Sequence, residues 1–277
     1  MSVFAEDRDL AISFRNLRLC ESIKSSIQKT ELFEHPSLGK VLIIDGEVQH
    51  VERWQSLYHE PLIHVASAFI PEVRDVLVLG GGSLFAASEV LRYPTVKRCT
   101  LVDHDPTVLE LMVRHYPHAA AVAQDSRFDY VGRNAINFLR TANGKYDLLV
   151  NDCFDSLRAS DDCGQSVFGL MSERLSKRGV CADPVYRHVF DRSYNARTRQ
   201  ALQGFKYALS LITVPEYPGV LHLLACWGNR VSQNLRVPIN HWQKTWIAKK
   251  SAMPKLEFYD PKFLSFHLYL PPYLQSF

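Results

Sequence analysis

Residues 76–82 read Val76-Leu77-Val78-Leu79-Gly80-Gly81-Gly82, an apolar run that ends directly in three glycines. Four apolar residues without polar alternation describe a strand buried on both faces, as in a parallel sheet covered by helices. Working outward, the spacing predicts a helix from Phe85 to Arg92, stopped near Pro94. A second strand, Cys99–Val102, ends at Asp103, and Pro106 opens a helix carrying Val108, Leu109, Leu111 and Met112. Further strands are expected at 128–131, 146–150 and 179–182, followed by an antiparallel pair at 211–214 and 220–226. Such alternation of strands and helices is the signature of an α/β domain with a parallel sheet, here expected over residues 57–277. Residues 1–56 differ: short β-like runs broken by turn signals, with Val41–Gln49 reading as a hairpin that turns at Asp45-Gly46. They are expected to form a small β-domain.

Composition narrows the function classes. Hydrophobic residues make up 47% and charged residues 22%, enough for a substantial core. A net charge of +3, with scattered basic residues, does not mark a nucleic-acid binder. The stretch 240–250 suits an amphipathic helix packed over the sheet rather than a nucleic-acid contact. No apolar run approaches a membrane span and no secretory leader is visible, so the expectation is a cytoplasmic protein. Six cysteines lie far apart without CxxC pairs, and the eleven histidines have no ligand spacing, so neither a disulfide framework nor a metal site is expected.

The glycine turn by itself has two readings: it packs a helix onto a strand, or it lets backbone N–H groups approach a ligand. Asp103, about twenty residues downstream, stands where a carboxylate accepts both ribose hydroxyls. Its alternative role is a helix N-cap, which Asp105 before Pro106 could supply equally well. The loop lacks the third glycine of a dinucleotide fingerprint, and no phosphate loop is present, so a nucleoside without phosphates is the expected ligand. Past the 146–150 strand, Asn151-Asp152-Cys153-Phe154-Asp155 places two carboxylates at the same cleft. They can bind a cationic amine, or one can take its proton, with a tyrosine hydroxyl assisting. A solvated surface turn is the alternative. Cys153, between two acids, is expected to be a poor thiolate.

In this order the motifs resemble the spermidine synthases, or polyamine aminopropyltransferases, over nearly the whole chain. Leu38–Gln49 is similar to that family's L-G-x-V-L-x-L-D-G-x-x-Q, and Glu52-Arg53 with Tyr58-His59-Glu60 to its E-R and Y-x-E. Gly80-Gly81-Gly82 matches its G-G-G, Asp103-His104-Asp105 its E-I-D, and Tyr146 to Asp155 its Y-D-x-I-x-D-x-x-D. Val214–Gly219 is similar to I-P-T-Y-P-S-G, and Phe258-Tyr259-Asp260 with Leu270-Pro271 to the closing Y-Y-N and L-P. The resemblance implies a Rossmann-like S-adenosylmethionine-dependent transferase fold with a small N-terminal β-domain, assembled as a homodimer. It implies Gln49, Gly80, Gly81, Gly82, Asp103, Asn134 and Asp152 as cofactor contacts. Asp152 would be the catalytic base assisted by Tyr58, and Tyr58, Asp155 and Tyr217 would shape the acceptor site. The implied reaction moves a 3-aminopropyl-type group from decarboxylated S-adenosylmethionine, or from S-adenosylmethionine, to a small acceptor, releasing methylthioadenosine.

Departures from the pattern open a second reading. The family's G-G-G-D-G-G holds the aminopropyl ammonium with its acid, and Ser83-Leu84-Phe85 stands there instead. Its G-D-G/A reads Gly132-Arg133-Asn134-Ala135, where Asn134 could still accept from adenine but Arg133 could not. Ser156–Ala159 replaces P-x-G-P, and Asp183–Arg187 stands in place of the acid after the 179–182 strand. Loss of the acid at Ser83 relieves repulsion against the carboxylate of S-adenosylmethionine, so transfer of a 3-amino-3-carboxypropyl or methyl group is the alternative. Arg133, Arg158 or Arg187 could then meet an anionic, phosphate-bearing acceptor. A non-catalytic nucleoside-binding relative is the third reading.

Overall fold

Residues 18–51 place alternate side chains on two faces, and they fold into an antiparallel meander. The structure, a computed structural model, describes residues 2–7, 10–153, 166–188, 200, 202–217, 220–231, 243–244 and 256–270. Strands β1 (Ser2–Asp7) and β2 (Leu10–Phe14) pair with each other. Strands β3 (Arg18–Lys24), β4 (Lys29–His35), β5 (Gly39–Ile44) and β6 (Glu47–Val51) form a four-stranded sheet in chain order. The hairpin expected at Asp45-Gly46 is present: Ile44 pairs with Glu47, and both turn residues have positive φ (49° and 88°). That mirror-image turn matches the right-handed twist of the strands. The Asp45 carboxylate also accepts the Lys29 N–H at 2.8 Å, tying the turn to β4.

Helix α1 (Gln55–Ser67) leads into the central sheet. The sheet's strands are β7 (Asp75–Gly80), β8 (Arg98–Asp103), β9 (Phe128–Gly132), β10 (Tyr146–Asp152), β11 (Leu175–His188), β12 (Tyr207–Ile212) and β13 (Val220–Trp227). Their order across the sheet is β12-β13-β11-β10-β7-β8-β9. Strands β7 to β11 pair in parallel, and β13 runs antiparallel to both β11 and β12. Between them come α2 (Phe85–Leu91), α3 (Pro106–His115), α4 (Pro117–Gln124), α5 (Ala135–Thr141) and α6 (Val167–Arg174), with α7 (Leu264–His267) near the end.

The predicted apolar strands are buried on both faces, as their continuous hydrophobicity requires. Val76 and Val78 face a core built with Leu62, Ile63, Ala86, Val90 and Leu111, while Leu77 and Leu79 face another with Leu139, Leu170 and Met171. Two strands differ from expectation: β11 runs through Leu175–His188 rather than 179–182, and β12 is displaced. β12 spans Tyr207–Ile212 rather than 211–214, because Leu209 and Ile212 bury in the two cores while Val214 leaves the sheet to line the cleft described below. No helix among the described residues is long and apolar enough to cross a membrane. The amphipathic stretch at 240–250 lies largely outside the described residues. Its Gln243 is buried and donates to the His64 carbonyl at 2.7 Å and the Tyr93 hydroxyl at 3.1 Å.

The C-terminal segment is pinned to α1 by a single buried carboxylate. Glu60 accepts the backbone N–H groups of Glu257, Phe258 and Tyr259 at 2.7–2.8 Å, which links two motifs nearly two hundred residues apart. Removing it would leave three N–H groups without this acceptor, that of Tyr259 buried. Glu60→Ala is therefore expected to lower the unfolding free energy by about 3 kcal/mol in urea denaturation, with Glu60→Gln losing less. A change below about 0.5 kcal/mol would remove Glu60 from this role.

Candidate functional site

Strands β7 and β10 are neighbours in space, yet the chain builds β8 and β9 on one side of β7 before returning to β10 on the other. Helices leaving the two strands therefore diverge, and a crevice opens beyond their carboxyl ends. A cleft of about 340 Å³ lies there. The central sheet supplies Gly80, Gly81, Gly82, Val102, Asp103 and Asp152. The N-terminal meander closes it from above with Leu42, Ile44, Gln49 and His50. Tyr217 holds the two parts together by donating its hydroxyl to the Val48 carbonyl at 2.9 Å.

The glycines are required by this geometry. Gly80 and Gly81 both have φ of +74°, a region that L side chains rarely adopt. A Cβ on Gly80 would collide with Cys153 and stand 2.7 Å from the Asp152 carbonyl oxygen. One on Gly81 would come within 3.0 Å of the Asp152 carboxylate, and one on Gly82 within 3.0 Å of the Asp103 carboxylate. The two acids thus flank bare backbone, a cradle that side chains at these positions would fill.

Asp105 resolves the ambiguity over the Asp103 segment. It is the N-cap of α3, accepting the Thr107 N–H at 3.0 Å, and it also accepts from the Ser25 hydroxyl at 2.8 Å. Asp103 is left to line the cleft, held by the Gly82 N–H and the Asp105 N–H at 3.1 Å each. Burial raises its pKa, against the opposing pull of those two N–H groups and of His104. Asp152 accepts the Tyr58 hydroxyl at 2.8 Å. Its carboxyl is pushed up to about 7, by desolvation first, while the Tyr58 bond lowers it and the charge of Asp103 raises it. The Cys153 thiol is held well above its ordinary range by desolvation and then by Asp152, Asp103 and Asp183, so it is no nucleophile at neutral pH.

Of the residues singled out in the sequence, Gln49, Tyr58, Gly80, Gly81, Gly82, Asp103, Asp152 and Tyr217 meet in this one cleft. Asn134 does not line it: its Oδ1 caps α5, accepting from Ile136 and Asn137 at 3.0 and 3.1 Å. Asp155 and Arg158 lie outside the described residues, as does the Arg187 side chain. Arg133 is exposed and does not line the cleft, although its N–H donates to the Asp103 carbonyl at 3.0 Å. Sequence reasoning missed Glu216, a nearly buried carboxylate in the wall, and the imidazoles of His50 and His59. Glu216 sits beside Tyr217 in the sequence, in a motif position that gave no signal for an acid. Among the described lining residues there are three carboxylates, Asp103, Asp152 and Glu216, and no lysine or arginine. Such a cleft attracts cations. No cluster that could hold a metal occurs among the described residues.

Residues 55–236 match the spermine/spermidine synthase domain. Putrescine N-methyltransferase 4 of Nicotiana tabacum is 31% identical over 274 residues, which cover 96% of this chain and 70% of that protein. A polyamine aminopropyltransferase of Buchnera aphidicola is 26% identical over 255 residues, 91% of this chain and 88% of that one. Among solved structures, spermidine synthase from Thermotoga maritima superposes with a TM-score of 0.78 at 21% identity, covering 94% of this chain and 87% of that one. This chain belongs to the spermine/spermidine synthase family.

Proposed function

We propose that the protein transfers the methyl group of S-adenosylmethionine to the nitrogen of a small amine. One observation carries the choice of donor. The loop that would grip an aminopropyl ammonium with an acid holds Ser83, the fully buried Leu84 and Phe85, none of them charged. A donor bearing a carboxylate meets no repulsion there, and the ammonium of a decarboxylated donor finds no acid in that loop. The similarity to putrescine N-methyltransferases supports the same donor. The carboxylate-lined wall supports a cationic acceptor and argues against the phosphate-bearing one that Arg133 suggested. Aminopropyl transfer is the second reading, supported by the similarity to a polyamine aminopropyltransferase.

The donor supplies an electrophilic carbon next to a positively charged sulfur. Asp103 would hold the ribose and the glycine turn would receive the nucleoside closely, while Gln49 would contact the nucleoside end. Tyr58, Glu216 and Tyr217 would orient the amine. The nitrogen lone pair forms the new N–C bond as the C–S bond breaks and its electron pair returns to sulfur. Asp152 takes the proton from the ammonium. A free amine has a pKa near 10.4, and raising Asp152 from 3.8 to about 7 brings the two proton affinities about 4 kcal/mol closer. Most of the remaining acceleration comes from alignment of nucleophile and carbon.

Four measurements test this reading. Calorimetric titration is expected to show S-adenosylmethionine binding at least about tenfold more tightly than its decarboxylated form, a gap of about 1.4 kcal/mol; the reverse order favours aminopropyl transfer. Asp152→Asn is expected to reduce turnover by about a hundredfold or more, and an unchanged rate removes it as the base. The carboxyl of Asp152 is expected to titrate near pH 7 by NMR, and Tyr58→Phe to move that midpoint upward, because the lost hydroxyl favoured the ionised form. The folded carboxyl titrates above its unfolded value of 3.8, so its stability contribution is full below pH 4 and is lost as pH rises towards 7. Asp152→Asn is accordingly expected to be the more stable protein at pH 8, and a less stable variant contradicts the raised pKa.

A further inference from the structure

Two polar atoms in the cleft wall, on His50 and Gln55, have no hydrogen-bond partner among the described residues. His50, in β6, is buried, and its Nε2 makes no hydrogen bond. Gln55, the first residue of α1, buries an Oε1 that likewise makes none. Both residues line the cleft. His59, one turn along α1 from Gln55, has its Nδ1 3.0 Å from the Gln55 backbone carbonyl and its ring 6.0 Å from that of His50. Folded proteins leave few buried polar atoms unsatisfied, so two in one cavity wall point to a ligand that completes them.

The surroundings define what that ligand offers. The His50 ring packs tilted against Phe85, centroids 4.2 Å apart, and Phe85 also meets His118 at 4.0 Å. Phe85 closes the loop that lacks the acid, so the stack stands directly behind Ser83 and Leu84. Burial, and then the neighbouring His59 and His118, hold the His50 pKa well below its ordinary value, so the ring is neutral at pH 7. A neutral imidazole has one N–H to donate, and a glutamine Oε1 can only accept. One donor and one acceptor in the wall of one cleft are the complement of an α-amino acid, with its carboxylate acceptor and ammonium donor.

We propose that His50 and Gln55 hold the amino-acid tail of the sulfonium donor, His50 donating to the α-carboxylate and Gln55 accepting from the α-ammonium. This assignment rests on S-adenosylmethionine being the donor. It makes the pair a specificity determinant, since a decarboxylated donor leaves the His50 N–H without its acceptor.

The test is calorimetric titration of the full chain and its His50→Phe and Gln55→Leu variants with S-adenosylmethionine and with methylthioadenosine, which lacks the tail. Phenylalanine keeps the stack on Phe85 and removes the nitrogens. Each variant is expected to weaken S-adenosylmethionine by about tenfold or more while methylthioadenosine binding stays within about twofold, which also reports an intact fold. His50→Gln, which restores an N–H, is expected to recover part of the loss. Unchanged S-adenosylmethionine affinity in the variants, or parallel weakening of both ligands, overturns the assignment. Failure of the unmodified protein to bind S-adenosylmethionine, with retained methylthioadenosine binding, overturns the donor reading itself and the assignment with it.

Discussion

The register between β7 and β10, with Gly80 opposite Asp152, is the constraint on which the rest of the site depends. It sets a carboxylate against a turn that has no side chains to spare, and both Gly80 and Gly81 adopt a left-handed backbone to make that turn. A methyl group at either position would meet Asp152 or its neighbour Cys153. Asp103 arrives on the other flank because β8 pairs with β7 in parallel, so its end also reaches the crevice. Desolvation of Asp152 and the Tyr58 bond then follow from packing α1 against that edge.

Much of this was legible in the sequence, for physical reasons that differ between elements. Strand β7 and its glycines could be read because a doubly buried strand leaves no polar residue in its run. The Asp45-Gly46 turn could be read because few residue pairs tolerate two positive φ angles. Asp103 could be placed near a ligand but not separated from a capping role until Asp105 was seen to cap α3. Asn134 illustrates the opposite outcome: an acceptor expected at adenine is occupied by the N–H groups at the start of α5.

What the sequence hid was long-range side-chain company. His50, Phe85 and His118 are scattered in the chain and share no ligand spacing, so their stack appears only when β6 closes over the glycine loop. His118, one of the histidines without ligand spacing, packs against Phe85 there. Glu60 showed its motif but not its partners, three backbone N–H groups near the C-terminus. Glu216 gave no signal, because nothing local says that the residue before Tyr217 faces the cleft.

The family's adenosine chemistry and the proposed change of donor both hang on one placement, a nucleoside seated across the β7–β10 crevice. A crystal structure of the protein with methylthioadenosine tests it most directly. The account predicts both ribose hydroxyls within hydrogen-bond distance of the Asp103 carboxylate and the sulfur on the side of Tyr58 and Asp152. A nucleoside bound elsewhere, or seated in the cleft with Asp103 untouched, would contradict it.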